Sequence, residues 1–250
     1  MPEFDSNGVP IHYEVFGEGK PIVLVHGFAA SLQGNWVGPG WIDALTPIRQ
    51  VVALDCRGHG ESGKPHDPEA YAGEQMPRDV IRLMDHLGIE TADLFGYSMG
   101  GRISIGLMLR EAARFTSVVL GGVGGGLVRR GGRPNVAEAL LTQDPSTITD
   151  RVAKEFRIFA EANKNDLKAL GACMQALRTV GNAADLAQVE LPVLIVIGEG
   201  DVLVGSADEL AAAIPGAQLV KIPDKDHLTV VPDQRFKDAV VRFLTETSPA

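Results

Sequence analysis

The chain has 250 residues, long enough to bury a substantial core in one large domain or in one domain with an insertion. Its apolar fraction of 45% and charged fraction of 22% are those of a folded globular protein, and its formal net charge of -9, with no basic run, excludes a nucleic-acid partner and an anionic membrane surface. No apolar run approaches the ~20 residues of a membrane span. The acidic start MPEFDSNGVPIHYE lacks the features of a leader, and two distant cysteines, Cys56 and Cys173, suit a reducing compartment, so the expected location is the cytoplasm.

In chain order, IHYEVFG (11–17) alternates like a strand and GEGK turns after it. PIVLVHG (21–27), VVALD (51–55), ADLFGY (92–97), TSVVLGG (116–122) and PVLIVIG (192–198) are nearly continuous apolar runs. Such runs suit strands covered on both faces. RDVIRLMDHLG (78–88), GRISIGLMLREAAR (101–114), SADELAAAI (206–214) and QRFKDAVVRFLTE (234–246) have helical spacing, and QLVKIP (218–223) reads as a further strand. The alternation predicts an α/β fold with a mostly parallel sheet.

One stretch breaks the pattern. Between Val123 and Gln188 there is no strand signal, and EALL (138–141), ITDRVAKEFRIFAEAN (148–163) and DLKALGACMQALRTV (166–180) read as three amphipathic helices. The glycine-rich GGVGGGLVRRGGRP (121–134) ahead of them reads as a flexible hinge. The expected organisation is a core of residues 1–122 and 189–250 with a helical insertion over 123–188.

LFGYSMGGR (94–102) places Ser98 between Gly96 and Gly100, after a strand and before a helix. A sharp strand-to-helix turn needs small neighbours because its flanks come close together. It holds the hydroxyl above the sheet edge, at a helix N-terminus that favours developing negative charge. Ser98 is therefore the candidate nucleophile; a plain serine N-cap is the structural alternative.

A serine hydroxyl needs a base and a third group that orients the base. On such a sheet these follow in the order serine, acid, histidine. Of six histidines only His227 lies after Ser98, which makes it the candidate base. Asp201, just after the most apolar strand, is the candidate acid, with Glu199 as its rival in the same loop. Ser206 of SADE caps the next helix, so Asp201 is not needed there. The two N–H donors of an oxyanion hole are expected from Met99, after the nucleophile, and from Phe28, after the early strand.

These motifs, HGF (26–28), DCRGHGES (55–62), GYSMGG (96–101), GEGD (198–201) and DH (226–227), occur together in an order that resembles the α/β-hydrolase family in its single-cap esterase-like branch. The likeness covers roughly residues 15–246. It implies an eight-stranded, mostly parallel sheet flanked by helices, with a small helical cap inserted after the sixth strand. It also implies cofactor-free acyl transfer by Ser98, His227 and Asp201. A serine at the turn argues against the dehalogenases and epoxide hydrolases of that fold, which carry aspartate there. The loop HGFAAS departs from the HGxGPG of many carbon–carbon bond hydrolases.

Two glycine patterns are set aside. RGHGESG (57–63) fits G-x-G-x-x-G, but KPHDP follows it instead of a helix, so a braced loop is the reading. GGVGGG (121–126) lacks the GK[ST] of a phosphate loop. DKDH (224–227) has no second set of ligands for a metal. Phe156, Phe159, Met174 and Leu177 fall at helical spacing, which marks core packing more often than pocket lining. The expected partner is a small-molecule ester or lactone. A serine esterase is the first reading. An enol-lactonase, perhydrolase or carbon–carbon bond hydrolase with the same triad stays open, as does a ligand sensor of low turnover.

Overall fold

A computed structural model describes residues 2–126, 133–177 and 181–247. Its strands are β1 (Glu3–Asp5), β2 (Pro10–Phe16), β3 (Pro21–Val25), β4 (Gln50–Leu54), β5 (Ala92–Tyr97), β6 (Phe115–Gly121), β7 (Val193–Gly198) and β8 (Gln218–Ile222). They form one eight-stranded sheet in the order β1-β2-β4-β3-β5-β6-β7-β8. The β1/β2 and β2/β4 pairs are antiparallel and the rest are parallel. Strand order reverses at β3, which lies between β4 and β5, so a crevice opens beyond the ends of β3 and β5, where open α/β sheets bind ligands.

The helices are α1 (Trp41–Leu45), α2 (Gln75–His86), α3 (Met99–Arg110), α4 (Pro134–Leu141), α5 (Arg151–Ala162), α6 (Leu167–Ala176), α7 (Ala183–Leu186), α8 (Ala207–Ala213) and α9 (Gln234–Thr247). The apolar strands divide their side chains between two cores with period two. Val23, Val25, Leu94, Val118 and Ile195 face one core, with Leu83 of α2, Ile103 of α3 and Leu210 of α8. Ile22, Leu24, Phe95, Val119 and Val196 face the other, with Trp41 of α1 and Phe236 and Phe243 of α9. Both faces are covered, which explains why these strands read as unbroken apolar runs.

Among the described residues no strand interrupts 123–188; α4 to α7 fill it. Asp150 and Asp166 cap α5 and α6 by accepting the backbone N–H groups of Ala153 and of Lys168 and Ala169. The end of DLKALGACMQALRTV, residues 178–180, and residues 127–132 of the glycine-rich lead-in lie outside the described residues. The described part of that lead-in differs from the hinge expected of it. Gly125 N–H donates to the Ser206 carbonyl at 2.9 Å, and a Cβ on Gly124 would overlap the Gly205 carbonyl. The glycines there serve a close backbone contact with the loop after β7.

Two further elements carry little sequence signal. β1 is three residues long with only Phe4 buried. The turn at Gln33–Val37 and the short α1 bury Trp36 and Trp41, whose rings pack on Phe95 at 4.8 and 4.9 Å. Among the described residues no helix is long and apolar enough to cross a membrane.

Candidate active site

Ser98 links β5 to α3 with φ 52 and ψ -108, a left-handed conformation rare for a residue with a side chain. Such strain costs about 1–3 kcal/mol and persists only where the surroundings enforce it. They do so here. A Cβ on Gly96 would overlap the Gly100 carbonyl, and one on Gly100 would overlap the Val25 carbonyl at the end of β3. The two glycines therefore let β3, the turn and α3 touch backbone to backbone. The Ser98 side chain caps no helical N–H and is left to point elsewhere.

It points to His227. Ser98 Oγ lies 2.9 Å from His227 Nε2, and His227 Nδ1 lies 2.6 Å from Asp201 Oδ2. The second oxygen of Asp201 accepts the Leu203 N–H at 3.0 Å. With Nδ1–H donating to Asp201, Nε2 is left as an acceptor for the serine hydroxyl. Asp201 is buried whereas Glu199 is exposed, so the structure brings Asp201 and not Glu199 to the imidazole. Ser206 caps α8 through the Glu209 N–H.

The loops after β7 and β8 are tied together. Gly200 N–H donates to the Lys225 carbonyl and Glu199 N–H to the Ile222 carbonyl. Asp226 accepts the Leu228 and Thr229 N–H groups and shapes the turn that carries His227. Tyr97, next to the serine, donates its hydroxyl to the His227 carbonyl. Burial, then the charges of Asp201 and Asp226, push this phenol well above its ordinary pKa, so it stays a donor.

Phe28 and Met99 flank Ser98. Met99 opens α3, so its N–H has no place in the helical ladder. The Phe28 loop is held from beneath. His26 Nδ1 donates to the Gly27 carbonyl at 2.7 Å, and His26 Nε2 accepts the Cys56 N–H at 2.9 Å. Burial lowers the His26 pKa against the pull of Asp55, which keeps the ring neutral, as both bonds require. Asn35 Oδ1 accepts the Gly27 N–H at 2.9 Å. The glycines of RGHGESG fold back over Asp55, whose carboxylate accepts the Leu32 and Glu61 N–H groups and meets His12 Nδ1. A Cβ on Gly60 would overlap that carboxylate. The motif is thus a brace for the loop that carries Phe28.

Two chambers have Ser98 in their walls. The larger, about 280 Å³, is lined by Phe28, Tyr97, Phe156, Phe159, Leu228 and Val231 among others. The smaller, about 70 Å³, shares Phe28, Ser98, Phe156, Leu203 and His227 with it and extends to Met174 and Leu177. All four apolar residues singled out in the helical stretch therefore line the cavity. Asn35, Tyr97, Arg102 and Arg133 also reach the chambers; Tyr97 and Arg102 lie within LFGYSMGGR but have no role assigned by that motif, and Asn35 and Arg133 lie outside every motif. Ser98 and His227 among largely apolar walls fit a small molecule that presents one polar bond to the serine.

A family model described as alpha/beta hydrolase fold matches residues 20–144. A 2-hydroxymuconate semialdehyde hydrolase of Pseudomonas putida is 29% identical over 92% of this chain and 89% of its own length. A Bacillus subtilis (strain 168) protein, provisionally named a 2-succinyl-6-hydroxy-2,4-cyclohexadiene-1-carboxylate synthase, is 26% identical over 96% of each chain. Among solved structures, the enol-lactonase from Burkholderia xenovorans LB400 superimposes with a TM-score of 0.81 at 28% identity, covering 98% of this chain and 100% of that one.

Proposed function

The chain belongs to the alpha/beta hydrolase fold family, and from that premise we propose that it is a serine hydrolase cleaving small to medium carboxylic esters. The observation that carries this reading is the unbroken hydrogen-bond chain from Ser98 through His227 to Asp201 at the junction of two largely apolar chambers. His227 Nε2 takes the Ser98 proton as Oγ attacks the ester carbonyl. The Phe28 and Met99 N–H groups hold the oxyanion, each contributing roughly 10²–10³ in rate. His227 then passes the proton to the leaving alcohol. Water, deprotonated by the same imidazole, attacks the acyl-enzyme and releases the acid. Asp201 keeps the imidazole in the tautomer that each step needs. Residues 123–188 act as a cap over the core of 1–122 and 189–250. The reaction needs no cofactor, and the enzyme works in the cytoplasm.

A second reading is favoured by the likeness to an enol-lactonase. In a lactone the leaving oxygen stays tethered to the acyl group, and the same residues perform the same steps.

The test is hydrolysis of a short-to-long p-nitrophenyl ester series by wild type and Ser98→Ala. Wild type is expected to turn over, with kcat/KM lower by at least about 10⁴ in the variant. Equal rates in the two proteins would remove Ser98 from the mechanism.

A further inference from the structure

The loop that carries Phe28 is gripped from the helical stretch as well as from the core. Residues 27–30 make a tight turn, closed by the Ala30 N–H donating to the Gly27 carbonyl at 3.3 Å. Ala29 stands third of the four with φ 58, a place ordinarily given to glycine. The unstrained form of such a turn has a negative φ there, reached by turning over the peptide between Phe28 and Ala29. An alanine persists at positive φ only where its surroundings enforce it. His26 and Asn35 hold Gly27 from the core side, and neither bond reaches Ala29. Ala29 is buried, so its carbonyl needs a partner as well.

That partner comes from 136 residues away. Asn165 Nδ2 donates to the Ala29 carbonyl at 2.8 Å. Asn165 sits in the corner between α5 and α6, and the corner is stiff. Lys164 takes φ 54, its N–H donates to the Glu161 carbonyl at 2.9 Å, and the Asn165 N–H donates to the Ala160 carbonyl at 3.0 Å. This paired closure locks the end of α5, and Asp166 caps α6 directly after it. Both neighbours of Asn165 are therefore pinned, and main-chain geometry delivers its amide to the loop. Two contacts flank the bond. The Phe156 ring of α5 meets the Phe28 ring edge-on at 5.9 Å, and Asp166 Oδ2 lies 2.9 Å from His66 Nε2 on the loop after RGHGESG. The His66 pair is exposed and contributes little; the amide is the group that touches the strained turn.

Resting on the ester-hydrolase reading above, in which the Phe28 N–H holds the oxyanion, we infer that Asn165 is a positioning residue. Its amide keeps Ala29 in the left-handed conformation, and so keeps the Phe28 N–H aimed at the oxygen. The oxyanion hole is complete only when the α5–α6 corner is seated on the core, which couples the seating of these helices to the speed of the reaction. Displacements of a fraction of an ångström are enough to weaken a donor aimed at a transition-state oxygen. The core-side bonds of the loop and the triad do not depend on Asn165, so the site works without it, more slowly.

The experiment follows hydrolysis of p-nitrophenyl acetate and inhibition by a trifluoromethyl ketone, whose adduct with Ser98 places an oxyanion in the hole. Asn165→Ala is expected to lower kcat/KM about 10-fold through kcat, with KM within about 2-fold of wild type and the ketone Ki rising in step. Asn165→Asp, which keeps the shape and turns the donor into an acceptor, is expected to lose more. Adding Ala29→Gly to Asn165→Ala is expected to recover at least about threefold, because glycine takes φ 58 without strain. A role in stability alone would lower the urea midpoint and leave kcat and Ki of the folded protein unchanged; that result overturns the inference and leaves the role of Ser98 standing. A loss confined to KM overturns it as well. Hydrogen exchange over residues 27–32 reads the tie without turnover. It is expected to be faster in Asn165→Ala, and unchanged exchange overturns the inference. Wild type that turns over no ester defeats the hydrolase reading, whereas faster exchange in the variant would still support the tie.

Discussion

At the edge of the sheet this chain sets backbone against backbone, whereas in the helices between β6 and β7 it sets side chain against side chain. Gly100 meets the Val25 carbonyl and Gly96 the Gly100 carbonyl, with no room for a single added carbon. Gly171 of α6 meets only the Leu141 side chain, which is 41% exposed and free to turn outward. The difference follows from what each region supplies. A nucleophile, its base and two oxyanion donors must agree to within a fraction of an ångström, and main-chain contacts hold that tolerance. Chamber walls need only apolar bulk of about the right volume, which amphipathic helices provide with many equivalent sequences.

The largest effect should come from Gly100→Ala. Its Cβ meets a carbonyl that has no way to yield, so the predicted loss of stability exceeds about 4 kcal/mol, with activity lost alongside. Urea titration followed by circular dichroism reads it directly. A variant as stable as wild type would erase the distinction between the two regions.

Acid should act on the sheet edge next. His59, packed against His26 and Phe28, is lowered to about 3 by burial and by His26, and His26 is lowered by its own burial. His59 is neutral in the folded protein near pH 6 and His26 is shifted in the same direction, while in the unfolded chain both take up protons around 6.5. Below that pH the unfolded state therefore binds more protons. Stability should fall as pH drops through 6.5 towards about 3, by up to about 1.4 kcal/mol per pH unit for His59, with His26 adding to the fall in the same direction. His59→Phe should lose part of that slope. Urea midpoints measured from pH 7.5 to 5 decide it, and a flat profile in wild type would contradict the account.

The smallest effect sharpens the same contrast. Gly171→Ala should lie within about 1 kcal/mol of wild type, the gain in helix propensity offsetting the displacement of Leu141. A loss as large as that of Gly100→Ala would show that the helices are fitted as tightly as the sheet edge.

The parts of the molecule that could be read in the sequence are those where chemistry dictates residue type and order. Ser98 stands between obligatory glycines, only one histidine follows it, and the structure brings that His227, with Asp201, into contact with the serine. The central parallel strands β3, β5 and β7 were legible because burial on both faces leaves few polar positions. β1 was not, since three residues with one buried phenylalanine make no pattern. Nor were Asn35 and Tyr97, whose roles depend on a carbonyl or an N–H delivered by a distant loop. Arg102 and Arg133 were not legible either; the structure places both in the wall of the smaller chamber, with Phe156 of α5 and Met174 of α6. The described glycines at 124–126 read as a hinge because close approach and looseness call for the same residue.

That last contact bears on how the fold could be re-engineered. Gly124 and Gly125 fasten the chain to Gly205 and Ser206, a few residues from Asp201. A foreign helical module grafted upstream of this fastening would unseat the loop that carries the acid. Grafted after Gly126 and closed again before β7, it would leave that loop clamped, so the splice junction separates a replaceable specificity cassette from a chassis that keeps its reactive centre.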